Sequence, residues 1–158
     1  MKTMTRTLIA ACLMCIAAAA LLPMARAADN SKISGSYSFT AHHLCADPVR
    51  VDGSYDEQVH IYYDQNGNPT RLAFTGKNLI TYTNLTTGAV FRPNSSGPGT
   101  TDLASGQTVI RGGNGFVIDS NGVLIATDGR VVLDAAGNVV SLVGRATDVC
   151  ARLGSSPG

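Results

Sequence analysis

Tryptophan is missing from this chain, and only five Tyr and four Phe stand among its 158 residues. That scarcity argues against a transmembrane β-barrel, which carries girdles of aromatic residues. Charge is sparse too, with Asp, Glu, Lys and Arg making up 15% of the sequence. The three His, at 42, 43 and 60, lie in no H-E-x-x-H setting, and no G-x-S-x-G is present. The commonest zinc-hydrolase and serine-elbow signatures are therefore absent. Only Leu8 to Leu22 forms a long apolar run without charge, Gly or Pro. It is shorter than the about 20 residues that span a bilayer as a helix.

What precedes and follows that run gives it a different meaning. Lys2 and Arg6 supply a basic start, Pro23 breaks the run, and Ala25-Arg26-Ala27 puts small residues where a signal peptidase reads. The expectation is a cleavable signal peptide over 1–27, a secreted or cell-envelope protein starting at Ala28, and no membrane attachment after cleavage. Ile9-Ala10-Ala11-Cys12 resembles a lipid-attachment box, but too little apolar sequence precedes Cys12.

Cleavage removes Lys2, Arg6 and Arg26 and no acid, leaving nine basic against 11 acidic residues, a formal charge of −2. The remaining cations are scattered, so no nucleic-acid partner is expected. Of the four cysteines, Cys12 and Cys15 leave with the signal. Cys45 and Cys150 remain, and two thiols in an oxidising compartment predict one disulfide.

All 17 glycines lie after residue 27, between short runs rich in Val, Ile, Thr, Tyr and Phe. This pattern predicts an all-β domain over 28–153 with a flexible tail at 154–158. Asp64-Gln65-Asn66-Gly67, Asp119-Ser120-Asn121-Gly122 and Asp134-Ala135-Ala136-Gly137 share one turn chemistry. The Asp accepts from the turn's own amides, and the Gly takes the left-handed conformation that returns the chain to its partner strand. A calcium loop at Asp64 is disfavoured because its twelfth position is Thr75.

Strands are expected at Ile33 to Phe39, Val59 to Tyr63, Arg71 to Phe74, Leu79 to Thr83, Ala89 to Arg92, Thr108 to Arg111, Phe116 to Ile118, Val123 to Thr127, Val131 to Leu133 and Val139 to Val143. Pro93 to Gly106 is the one long loop. Short links favour an antiparallel meander. A Cys45–Cys150 bond would draw the first and last strands together, so a single meander β-barrel is expected, with a β-sandwich as the alternative.

Three stretches, Thr83-Asn84-Leu85-Thr86-Thr87-Gly88, Gly129-Arg130-Val131-Val132-Leu133 and Asp148-Val149-Cys150-Ala151-Arg152-Leu153, resemble a group of small secreted proteins of actinobacteria, over about His60 to Leu153. The resemblance implies an exported bacterial β domain. That group has no established activity, so no catalytic residue comes with it.

For chemistry, His42-His43-Leu44-Cys45-Ala46-Asp47 gathers nitrogen, sulfur and oxygen ligands, but a disulfide at Cys45 would remove the thiolate. His60, Tyr62 and Arg71 fall opposite the apolar Val59, Ile61, Leu72 and Phe74, which places them on a solvated face. N-x-S/T sequons at Asn84 and Asn94 matter only in a eukaryotic host. No catalytic residue, metal site or cofactor is assigned. The expected function is binding of a small, mainly apolar ligand in a cavity lined by Tyr37, Phe39, Val59, Ile61, Tyr63 and Phe74. The alternatives are a cofactor-free cyclase or isomerase in such a cavity, and a surface or interaction module without a pocket. Val131 to Leu133 and Val139-Val140 are apolar on both faces, so the outer one needs a cover from the chain or from a second subunit.

Overall fold

The computed structural model describes residues 30–158 apart from Gln65 and Ser120. The expected signal peptide, its cleavage site and Cys12 lie outside these residues. Eight strands follow one another: β1 Asn30–Ala41, β2 Val49–Tyr63, β3 Pro69–Asn84, β4 Val90–Phe91, β5 Gly99–Asp102, β6 Thr108–Ile118, β7 Leu124–Leu133 and β8 Val139–Asp148. A single turn of helix, α1 Val149–Arg152, follows β8 and is capped by Asp148, whose side chain accepts from the Ala151 amide at 3.0 Å.

The Asp-x-x-Gly segments close their hairpins as their chemistry requires. Asp64 Oδ1 accepts from the Asn66 and Asn68 amides, both at 2.8 Å. Asp119 Oδ1 takes those of Asn121 and Val123, and Asp134 Oδ1 those of Ala136 and Asn138. Asn84 and Asp102 serve two longer turns in the same manner, each accepting from the amides two and three residues ahead.

These bonds favour the ionised carboxylate. The Asn68 amide, first among the donors, holds Asp64 below the ordinary carboxylate range. The Ser105 amide does so for Asp102, and the Asn138 side chain for Asp134. A carboxyl whose folded pKa is depressed stabilises the fold above its unfolded pKa of about 3.9, and that contribution disappears as the pH falls through the folded value. Urea midpoints measured between about pH 5 and pH 2 should therefore fall with pH. The slope should be shallower in an Asp64→Asn/Asp102→Asn/Asp134→Asn variant.

The strands form one antiparallel sheet in the order β1-β2-β3-β5-β6-β7-β8, with β4 paired to β3. The expected closed barrel is not what forms. Among the described residues β1 and β8 do not pair, so the sheet ends in two free edges. The disulfide is present, with Cα atoms 5.5 Å apart, but it joins segments beyond the strands. Cys45 follows β1, and Cys150 sits in α1. It ties chain ends together without setting two strands side by side.

The two halves of the sheet face each other instead, as in the sandwich alternative. Val49 and Val51 of β2, Ile80 and Tyr82 of β3, Leu124 and Ala126 of β7, and Val149, Cys150, Leu153 and Cys45 make one buried cluster. The Tyr82 hydroxyl donates to the Gly115 carbonyl across the halves. Burial is the leading cause that pushes this phenol's pKa far up.

Several expected strands merge. Thr108 to Arg111 and Phe116 to Ile118 are one strand, as are Val123 to Thr127 and Val131 to Leu133, with glycines inside them. Gly129 and Gly144 are register partners with φ of 143° and 134°. A Cβ on Gly129 would stand 2.2 Å from the Val143 carbonyl oxygen, and one on Gly144 would stand 2.2 Å from that of Asp128. The two strands thus approach at a point where only glycine fits. The expected loop Pro93 to Gly106 contains β5, which bridges β3 and β6.

Val131 and Val132 are both buried, so the β7 part of the two-sided apolar stretch is covered within the chain. Val140 and Val143 on the edge strand β8 stay open, at 60% and 64% exposure. The last residues, expected as a tail, lie along 44–47: the Ala46 amide donates to the Ser156 carbonyl at 2.9 Å and the Asp47 amide to Ser155 Oγ at 3.1 Å.

Candidate functional site

The residues expected to line an apolar cavity share one face of β1, β2 and β3. Across the strands Tyr37 pairs with Gly53, Phe39 with Val51, Val59 with Phe74, and Ile61 with Leu72. Tyr63 comes just after a register shift at the end of β2. The face is continuous with the buried Val49, Val51, Ile80 and Tyr82. The group is spread out, however. Gly53, opposite Tyr37, and Val59 are six residues apart on β2, about 20 Å at 3.3 Å per residue.

The rings also have other work. A Cβ on Gly53 would lie 2.1 Å from Tyr37 Cζ, one on Gly35 would lie 2.6 Å from Tyr55 Oη, and one on Gly99 would lie 2.1 Å from Phe74 Cζ. Each aromatic residue is the cross-strand partner of the glycine it covers. The rings lie flat on the bare backbone and protect it, as cross-strand aromatic–glycine pairs do. Tyr37 and Phe39 stack with centroids 6.2 Å apart, and they are 37% and 41% exposed. Tyr63 is half open to solvent.

His60, Tyr62 and Arg71 occupy the opposite face in an exposed ladder. His60 Nδ1 is 2.6 Å from Asn30 Oδ1, the His60 and Tyr62 rings meet edge-on at 4.4 Å, and the Arg71 guanidinium lies 4.0 Å over the Tyr62 ring. Lys32–Asp56 and Arg50–Asp52 ion pairs, at 3.0 and 2.9 Å, occupy the same outer surface and are themselves exposed. A cation–π contact in such a setting contributes about 0.5–1 kcal/mol. This is a solvated face held in order.

In the segment His42 to Asp47, Cys45 is spent in the disulfide. Asp47 accepts from Asn84 Nδ2 at 3.1 Å, and hydrogen bonds from Ser155, Asn84 and Thr86 hold its carboxyl below the ordinary range. Among the described residues no three His, Cys, Asp or Glu converge on a metal position.

A concave site lies elsewhere. Phe91, Pro93 and Asn94 form one wall of an open cleft of about 170 Å³, and Ala126, Thr127 and Asp128 of β7 with Arg145 and Thr147 of β8 form the other. Asp128 faces Arg145 and Ala126 faces Thr147 in the β7–β8 register. None of these residues stands out in the sequence, because they come from three separated segments. The one available signal is a lone acid and a lone base in strands that are otherwise mostly apolar or glycine. A scan against protein-family models and searches of curated proteins and of solved structures return no match to this chain.

Proposed function

We propose that this chain is an exported recognition module that works through its surface, and that it is not a carrier enclosing an apolar ligand. The carrying observation is the fate of the expected lining. Its residues share a face but are strung along it, and Tyr37 and Phe74 are laid over Gly53 and Gly99 instead of framing a space. The Cys45–Cys150 disulfide is in keeping with an oxidising compartment outside the cytoplasm. The cyclase or isomerase reading needs His60, Tyr62 or Arg71 inside a cavity, and their ladder is on the outer face.

The resemblance to small secreted actinobacterial proteins rests on residues with structural tasks. Asn84 to Gly88 is a turn, Gly129 to Leu133 belongs to β7, and Asp148 caps α1. Such a likeness would speak for a shared fold.

An apolar fluorescent dye titrated into delipidated protein is expected to show no saturable one-to-one uptake, and native mass spectrometry of protein from its producing host should show no bound apolar mass. Stoichiometric uptake that Phe74→Ala abolishes would reinstate the carrier.

A further inference from the structure

The geometry points to the cleft between Phe91–Asn94 and strands β7 and β8 as a binding site for one ring of a neutral saccharide. This goes beyond the surface-module reading and does not depend on it.

The two charged residues of the cleft carry the first step. Asp128 and Arg145 are direct cross-strand partners, both exposed, and residues so placed have Cβ atoms about 4.5–5.5 Å apart. Among the described residues neither side chain makes an ion pair or hydrogen bond. A carboxylate with free acceptor sites therefore stands beside a guanidinium with a free fork of donors.

Uncharged groups extend the pattern. Thr147, the cross-strand partner of Ala126 and on the same face as Asp128 and Arg145, adds a hydroxyl. Asn94 uses its carbonyl oxygen on the Ser96 amide at 3.2 Å, which leaves its NH₂ to donate. Phe91 and Pro93 supply an apolar surface, and the Arg152 guanidinium sits 5.5 Å from the Phe91 ring centre.

The chemistry of the lining selects the ligand class. A purely apolar molecule would desolvate Asp128, Arg145 and Thr147 without replacing their water, which is costly for each group. An anion such as phosphate gains at Arg145 and is repelled at Asp128, and a simple cation meets the reverse. A neutral ring that is ringed by hydroxyls and has an apolar C–H face satisfies the acceptor, the donor fork, the Thr147 hydroxyl and the Phe91–Pro93 wall together. A space of about 170 Å³ suits one such ring. An open cleft that buries a single ring leaves much of it in water, so affinity is expected in the millimolar range.

Amide-resolved NMR titration of the uniformly ¹⁵N-labelled protein with glucose, galactose and N-acetylglucosamine tests this. At least one sugar should give saturable shifts at Asn94, Thr127, Asp128, Arg145 and Thr147. Asp128→Asn and Arg145→Gln should each weaken binding at least about tenfold, with the remaining spectrum unchanged as the measure of an intact fold. Thr147→Val, nearly isosteric and partly exposed, should weaken it several-fold. The inference falls if no neutral sugar shifts these amides or if both charge variants bind as well as the parent. Tighter saturation of the cleft by a free amino acid, whose ammonium and carboxylate also match Asp128 and Arg145, would overturn it as well.

Discussion

Replacing Cys45 and Cys150 together by alanine lowers the unfolding free energy by about 4–5 kcal/mol, a large part of what holds a domain of this size together. The bond closes a loop of 105 residues by sequence separation, and on the chain-entropy account the constraint it places on the unfolded state grows with the logarithm of that length. Both cysteines are also in the buried cluster, at 1% and 0% exposure, beside Val49, Val149 and Leu153. Truncation therefore removes packing as well as the crosslink. Urea unfolding of the double variant and of the parent, both without reductant, measures the difference. Midpoints within error of each other would show that α1 and the start of β2 hold together by packing alone.

The second large effect is expected at the crossing of β7 and β8. Gly144→Ala places a methyl group 2.2 Å from the Asp128 carbonyl oxygen and forces alanine to a φ of 134°. Either strand must move or the ladder must open, at a cost of about 2–4 kcal/mol and a fall in Tm on the order of 10 °C. Gly129→Ala should behave alike. The double variant should cost less than the two single losses added, because both side chains relieve themselves by separating the same two strands. Gly67→Ala is the comparison that isolates the clash: its φ is 81°, but a Cβ there meets nothing within 4 Å, so it should cost only about 1 kcal/mol. Equal losses at Gly67 and Gly144 in thermal unfolding would mean that close approach plays no part.

The turns were legible in the sequence because their chemistry is local: an Asp followed by Gly three residues later carries its own hydrogen bonds. So were the faces of β2 and β3, where alternation sends Val59 and Ile61 one way and His60 and Tyr62 the other. The disulfide followed from having two cysteines left once the expected leader is set aside. Strand lengths were obscured by glycine. Gly53 and Gly129 look like breaks in the sequence, yet they lie inside strands at points of ring cover and close approach. Closure was not legible either, since it depends on whether the edges of β1 and β8 meet, and no local pattern encodes that distance. The cleft escaped for the same reason, as Phe91 becomes a neighbour of the paired Asp128 and Arg145 only once the halves of the sheet have folded over each other.

Asn84 has no solvent exposure, and each end of its amide is engaged. Its oxygen accepts from the Thr86 and Thr87 amides, and its nitrogen donates to Asp47 Oδ2 and the Leu153 carbonyl. The sequence Asn84-Leu85-Thr86 is nevertheless an acceptor for N-linked sugar wherever the chain meets a glycosylating enzyme before it folds. Production through a eukaryotic secretory route would thus set folding against modification. A molecule glycosylated at that nitrogen keeps one N–H for its two donor bonds and has no room for the glycan, so it would be held back as misfolded material. Asn94, exposed in its loop, would tolerate the same addition. Yield from such a host should rise on Thr86→Ala, which destroys the sequon and keeps Asn84, and should not rise on Asn84→Gln, which destroys both.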